Sequence, residues 1–269
     1  IGGKKINQIL FAAGNAYLSC EFGIVVIDLS RKEISDTYYI GQNGQNTNVN
    51  GLAFNGTYML AATDSGMFKA NFNDPNIFNY TAWTLENGLF APYANYTSVT
   101  ALNGKFYAIK TNSSFAKDTL LEYNGSTWSP YFSDDYEGGY VDSYNNLLIY
   151  RNDYKVSTFD AVGAETHRVD LSMYTNGDIS RGFVDNAGIF WVADKNNGLV
   201  RFSSNPYDLQ KISPNGPRSS AVWAMDSRKG NIWVASGSLS GDAPNFQERN
   251  GTYLFSENSW TTYDRSNDA

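Results

Sequence analysis

The residues that could do chemistry are few and poorly matched to one another. His167, in "ETHRVD", and Cys20, in "AYLSCEFG", are the only histidine and the only cysteine among 269 residues. Typical zinc sites draw three or four ligands, mostly from these two residue types, so zinc and other imidazole-rich metal chemistry is all but excluded. A Ser-His-Asp triad would have to use His167, whose surroundings look like the polar edge of a strand. A single cysteine rules out an internal disulfide. Cys20 lies in the apolar stretch Leu18 to Ile27 and is expected to be a buried strand thiol. Glycoside hydrolysis needs two carboxyl groups converging on one cleft. Asp64 in "ATDSG" and Asp194 in "ADKNNG" occupy corresponding places before a Gly turn, and Asp185 and Asp226 form a second corresponding pair. Aspartates recurring before turns are explained by side-chain hydrogen bonds to local backbone, so no catalytic residue is expected. The loops "NDPN", "SDDYEGG" and "DNAG" supply oxygen ligands without EF-hand spacing and look first like polar hairpin loops. No cofactor is expected, and structural calcium stays open. No Gly-rich phosphate loop leads into a helix.

The elements that would position these residues repeat. Trp83, Trp128 and Trp260 lie 45 and 132 residues apart, which implies a unit of about 44 residues. Each follows an aromatic residue by five positions: Phe78, Tyr123 and Phe255. Trp191 in "IFWVAD" and Trp233 in "NIWVAS" are 42 apart, and Gly23 and Gly66 are 43 apart. Cutting at this period gives approximate repeats 6–48, 49–95, 96–136, 137–178, 179–220 and 221–269. Each contains four short apolar or alternating segments separated by Gly or Asn turns, and no window sustains a helical apolar pattern. Four strands per unit of this length is the signature of a β-propeller blade. The expected fold is therefore all-β: a single propeller domain of four-stranded antiparallel blades, with six repeats visible and six or seven in the ring, or part of one. Trp128, Trp191, Trp233 and Trp260 are expected to pack between blades, where each can bury a large apolar area. In "NGPRSSAVWAMDSRKGNIWVAS", Asp226 to Asn231 is expected to be the turn between the first two strands of the last blade.

Composition agrees. Aromatics make up 15% of the chain and charged residues 17%, which favours strands and argues against disorder. A net charge of −7 with scattered Lys and Arg opposes the phosphate backbone of nucleic acid. No apolar run approaches the length of a membrane helix. The chain starts at Ile1 and shows no signal peptide, so a processed chain or an excised segment is expected.

The motif from Asn215 to Ser236 resembles the regulator-propeller repeat of Bacteroidetes proteins through Gly216, Asp226, Gly230-Asn231 and Ile232-Trp233-Val234. A weaker copy carries Asp185, Gly188 and Trp191. A closer resemblance covers most of the chain. "KKINQILFAAGNAYLSCEFGIVVIDLSRKEISDTYYIGQNG" (Lys4 to Gly44), "LAATDSGMFKA", "YNGSTWSPY", "NNGLVRF" and "ISPNGPRSS" look like the N-terminal propeller region of the PorZ family of Bacteroidetes type IX secretion. The resemblance implies a cell-envelope location, at the periplasm or the outer-membrane surface. It also implies a non-enzymatic scaffold that binds protein partners of the surface-attachment complex, with a surface glycolipid or glycan as a further candidate partner. The alternative is the periplasmic ligand-sensing propeller of a hybrid two-component regulator that recognises polysaccharide fragments. Propeller loops commonly carry function on a rigid frame. The insertion "GSLSGDAPNFQERNG" breaks the last repeat, and Asp242, Phe246 and Arg249 within it are the expected partner contacts.

Overall fold

The computed structural model describes residues 5–89, 91–111, 118–133, 138–172, 177–202, 208–212, 216–217, 222–240, 243–245 and 251–264. The chain divides into two compact units, Ile1–Ile212 and Ser213–Ala269.

The first unit holds five four-stranded antiparallel sheets. The first is β1 (Ile6–Ala12), β2 (Asn15–Cys20), β3 (Gly23–Asp28) and β4 (Glu33–Tyr38). The second is β5 (Val49–Phe54), β6 (Tyr58–Thr63), β7 (Gly66–Asn71) and β8 (Thr84–Leu85). The third is β9 (Tyr96–Leu102), β10 (Lys105–Lys110), β11 (Thr119–Tyr123) and β12 (Trp128–Ser133). The fourth is β13 (Tyr140–Tyr144), β14 (Leu147–Arg151), β15 (Lys155–Phe159) and β16 (Glu165–Asp170). The fifth is β17 (Ile179–Val184), β18 (Phe190–Asp194), β19 (Gly198–Phe202) and β20 (Leu209–Ile212). Strands follow one another in space as in sequence within every sheet, which short hairpin connections enforce.

The second strands of the sheets show why these sheets stack. Successive side chains of a strand point to opposite faces. Met59 and Ala61 of β6 join one apolar cluster with Tyr17, Val26 and Leu52 of the first and second sheets. Leu60 and Ala62 join another with Val99 and Phe106 of the third. On β10, Phe106 faces that cluster, whereas Tyr107 and Ile109 pack with Val141, Leu148 and Tyr150 of the fourth sheet. Ile149 of β14 then packs with Val192 and Val200 of the fifth. A sheet with both faces apolar must be covered twice, and a stack of sheets does so with every interior member. Burying one such side chain contributes roughly 1.5–3 kcal/mol.

The second unit holds one four-stranded sheet in the order β21 (Val222–Arg228), β22 (Asn231–Ser236), β25 (Thr252–Ser256) and β26 (Ser259–Tyr263). A separate two-stranded hairpin, β23 (Ser238–Ser240) and β24 (Ala243–Asn245), occupies the expected insertion between its second and third strands. The turn expected over Asp226 to Asn231 is shorter than that. Asp226 lies inside β21, paired with Trp233, and only Lys229 and Gly230 make the reversal, both at positive φ.

The aromatic–Trp pattern has a geometric origin in two of its three occurrences. Tyr123 pairs with Trp128 across β11–β12, and Phe255 with Trp260 across β25–β26. The ring centroids lie 5.2 and 5.1 Å apart. Phe78 and Trp83 instead flank a single 3-10 turn, Tyr80–Ala82, where the Trp83 indole donates to the Ile77 carbonyl. Trp83 and Trp128 are buried between sheets. Trp233 is 40% exposed and stacks on Tyr263, while Trp191 is half-buried and held by Asp185.

Candidate functional site

The residues singled out for acid–base or nucleophilic chemistry do not converge. His167 is exposed on β16, the outermost strand of its sheet, with its ring edge-on to Phe190 at 5.7 Å. Cys20 is 3% exposed among Ala16, Leu18 and Val25, and burial raises its thiol pKa. Among the described residues no group of three His, Cys, Asp or Glu side chains could hold a metal ion.

The aspartates divide by role. Asp185 accepts from the Ala187 and Ile189 amides and from the Trp191 indole; the indole bond is the leading cause of its lowered pKa. Asp194 is buried, which alone would raise its pKa. Bonds from the amides of Asp178, Asn197 and Asn196 and from the Asn197 side chain outweigh burial and lower it. Both therefore shape turns, and Asp194 also ties the end of β18 to the residue before β17. Asp64 does something else: its two oxygens accept from the side-chain amides of Asn48 and Asn50. Register also corrects the two correspondences. Asp194 ends β18 opposite Ile179 as Thr63 ends β6 opposite Val49, so Thr63 and not Asp64 is its counterpart. Trp191 faces Phe183 where Trp233 faces Asp226, so Asp185 and Asp226 are not equivalent. Asp242, Phe246 and Arg249 lie outside the described residues.

The place where the repeat breaks within the first unit is the start of the first strands. Register slips by one residue near the start of β1, β5, β9 and β17, leaving Asn7, Asn50, Thr97 and Ser180 unpaired. Such bulges re-aim a side chain. In the first three sheets the bulged side chain donates to a backbone carbonyl of the next sheet: Asn7 to Val49, Asn50 to Tyr96 and Thr97 to Gly139. β13 pairs with β14 without a slip, and there the ladder of small polar donors gives way to Tyr140.

Tyr140 is 7% exposed. Arg181, from β17, lies over its ring at 3.6 Å, and Arg151, from β14, at 5.3 Å. The adjoining backbone fixes this arrangement. Gly138 sits at φ +78, where an L side chain is strained and a Cβ would strike Asp153. Its carbonyl accepts from the Arg151 guanidinium at 2.9 Å. The Gly139 amide donates to the buried Asp118 carboxylate at 2.8 Å. Gly138, Gly139, Tyr140, Arg151 and Arg181 line a cavity of about 350 Å³ with Lys5, Asn7, Asn50 and Thr97, so every sheet of the first unit contributes a residue of its first strand or the residue just before it. A second cavity of about 380 Å³ shares Asn7, Tyr140 and Arg181 and adds Asp142.

The electrostatics are unusual for so acidic a chain. The described lining of the first cavity contains three cations, Lys5, Arg151 and Arg181, and no carboxylate. Burial and the like charge of Arg181 together lower the Arg151 pKa. Asp153 stands 3.9 Å from Arg151 and is itself half-exposed. The Arg151 Nε–H is buried without a hydrogen-bond partner among the described residues. A buried unmet donor costs about 1–3 kcal/mol, more when charged, and a cation–π contact returns about 0.5–2. The contact with Tyr140 is thus of the same order as that cost and leaves the Nε–H itself unpaired. Composition gave no hint of this cluster; the one sequence signal is that "YVDSY" interrupts the Asn/Asn/Thr series.

Residues 1–84 match the family of the PorZ N-terminal β-propeller domain of the type IX secretion system. No curated protein sequence matches the chain. Among solved structures, PorZ of Porphyromonas gingivalis, a surface component of its type IX secretion system, is 17% identical with a TM-score of 0.68, over 98% of this chain and 33% of that one. The extracellular domain of a protein described as a hybrid two-component system of B. thetaiotaomicron is 14% identical with a TM-score of 0.56, over 86% of this chain and 31% of that one. YCF48, solved bound to a D1 peptide, is 12% identical with a TM-score of 0.56, over 97% of this chain and 84% of that one. The chain thus spans about a third of the length of the first two, and at these identities the likeness is one of fold. The resemblance read from Lys4 to Gly44 falls inside the matched segment. The chain is therefore built of β-propeller blades, and its first 84 residues match the PorZ N-terminal β-propeller domain.

Proposed function

We propose that the chain is a non-enzymatic binding module of a Bacteroidetes type IX secretion and surface-attachment complex, placed in the cell envelope and acting through protein partners. The observation that carries this reading is the match of residues 1–84 to the PorZ N-terminal domain. The scattered carboxylates and the exposed, isolated His167 support a binding role over hydrolysis. Among the described residues no helix is long and apolar enough to cross a membrane. The test is deletion of the gene in its native host. Secreted cargo should lose surface attachment, and reintroducing the gene should restore it. Cargo attached normally in the deletion strain would overturn the reading.

The polar cavity in the first unit favours a second reading, a ligand-sensing propeller of a hybrid two-component regulator. The same deletion separates the two: a sensor's loss would silence transcription induced by a polysaccharide and leave cargo attachment unchanged.

A further inference from the structure

We propose that the cavity at the start of β1, β5, β9, β13 and β17 is an oxyanion site, taking a carboxylate or phosphate group of a small polar ligand between Arg151 and Arg181. The inference does not depend on either role proposed for the whole protein.

Three observations carry it. The cavity gathers Lys5, Arg151 and Arg181 with no acidic residue in its described lining, although the chain carries a net charge of −7. Asp153, 3.9 Å from Arg151, and Asp142, beside Arg181, meet part of this charge from outside the lining, but three cations on one concave wall still favour an anion within it. Arg151 is anchored through one nitrogen to the Gly138 carbonyl, and its buried Nε–H is left without a partner among the described residues. Arg181 spends one donor on the Ser180 carbonyl. Its plane is held by Tyr140, so its remaining donors are oriented before a ligand arrives. A planar fork of guanidinium donors matches carboxylate and phosphate oxygens. Volume fits as well: about 350 Å³ is within the range of small-molecule sites.

The polar, uncharged side chains of the lining set the rest of the ligand. Asn7 donates to the Val49 carbonyl and to Asn48, Asn50 to the Tyr96 carbonyl and to Asp64, and Thr97 to the Gly139 carbonyl, and the Asn50 carbonyl oxygen accepts from Asn48. Among the described residues nothing donates to the Asn7 carbonyl oxygen, which is left for a ligand hydroxyl. The class indicated is an acidic, hydroxylated small molecule, such as a sugar acid or a sugar phosphate.

The test uses the full 269-residue chain at constant ionic strength, with inorganic phosphate, glucuronate and neutral glucose as probes. Calorimetric titration and thermal shift are the readouts. Phosphate, glucuronate or both should bind saturably, with glucose at least tenfold weaker, and the preferred probe tells a phosphate source from a carboxylate one. Arg181→Gln should weaken binding tenfold or more without changing the melting temperature of the free chain by more than a few degrees, since this side chain is exposed. Arg151→Gln should do the same; should it fail to fold, Arg181→Gln and Lys5→Gln decide. No saturable binding of either anion, or binding untouched by Arg181→Gln, would overturn the proposal.

Discussion

Asp142, on β13 beside the arginines, shows how a single side chain can be worth removing. Burial raises its carboxyl pKa, against the Ser143 amide and Arg181, which lower it. The folded state therefore holds this proton more tightly than the unfolded chain does. Stability is lost as pH rises from the unfolded carboxylate value, about 3.9, through the raised folded value. Asp142→Asn removes that loss. The variant should be at least as stable as the parent at pH 7, with the difference shrinking toward pH 4. Urea midpoints across that range measure it, and a parent clearly more stable at pH 7 would mean that attraction to Arg181 outweighs burial. Other residues were legible from sequence because their partners are close in the chain. Cys20 is buried by its own strand's apolar run, Asp185 is held by amides two and four residues on, and one oxygen of Asp194 by amides two and three residues on, although its other oxygen takes the Asp178 amide 16 residues back. Asp64 was not, because its partners Asn48 and Asn50 lie 16 and 14 residues away.

At the scale of elements, period-two alternation was visible in the sequence and decides which face of each strand meets which neighbour. The aromatic–Trp spacing likewise encodes a cross-strand pair closing the β11–β12 and β25–β26 hairpins. Trp128 is 5% exposed within the cluster joining the second and third sheets, and its indole N–H is buried without a partner among the described residues. Trp128→Ala should cost about 3–5 kcal/mol, the usual range for emptying a large aromatic site. Trp128→Phe should cost less than half as much, because it keeps a ring against Tyr123 and removes the unmet donor. Equilibrium denaturation of the two variants checks the ratio; equal costs would mean that the indole N–H is satisfied in solution. Phe78 and Trp83 share the spacing without the hairpin. A spacing of five specifies a pair only where a two-stranded turn lies between.

At the scale of the whole molecule, the apolar clusters that join the sheets of the first unit draw entirely on residues up to Leu209. A chain ending at Ile212 is therefore expected to keep a β-sheet circular dichroism spectrum and to melt in one cooperative transition. A broad, non-cooperative melt would show that the last sheet is needed for the other five. Repeat architectures make this a sharp test, since stability is approximately a sum of unit and neighbour terms.

What the sequence determined by itself was the blade: four short strands, their alternation, their turns and the period near 44 residues. All of these are local properties, set by backbone geometry within one hairpin or by a pattern copied along the chain. The tertiary structure alone decided the cation cluster. Lys5, Arg151 and Arg181 stand far apart in the chain and belong to no common motif, and they meet only because each sheet brings the start of its first strand to one cavity, with the end of β14, where Arg151 pairs with Tyr140, beside it in the fourth. The missing bulge in β13 then substitutes Tyr140 for a small polar donor and gives Arg181 a surface to lie on. Register is a relation between strands, so the absence of a one-residue slip, which turns a polar ladder into a charged pocket, is decided by pairing and is carried by no single strand.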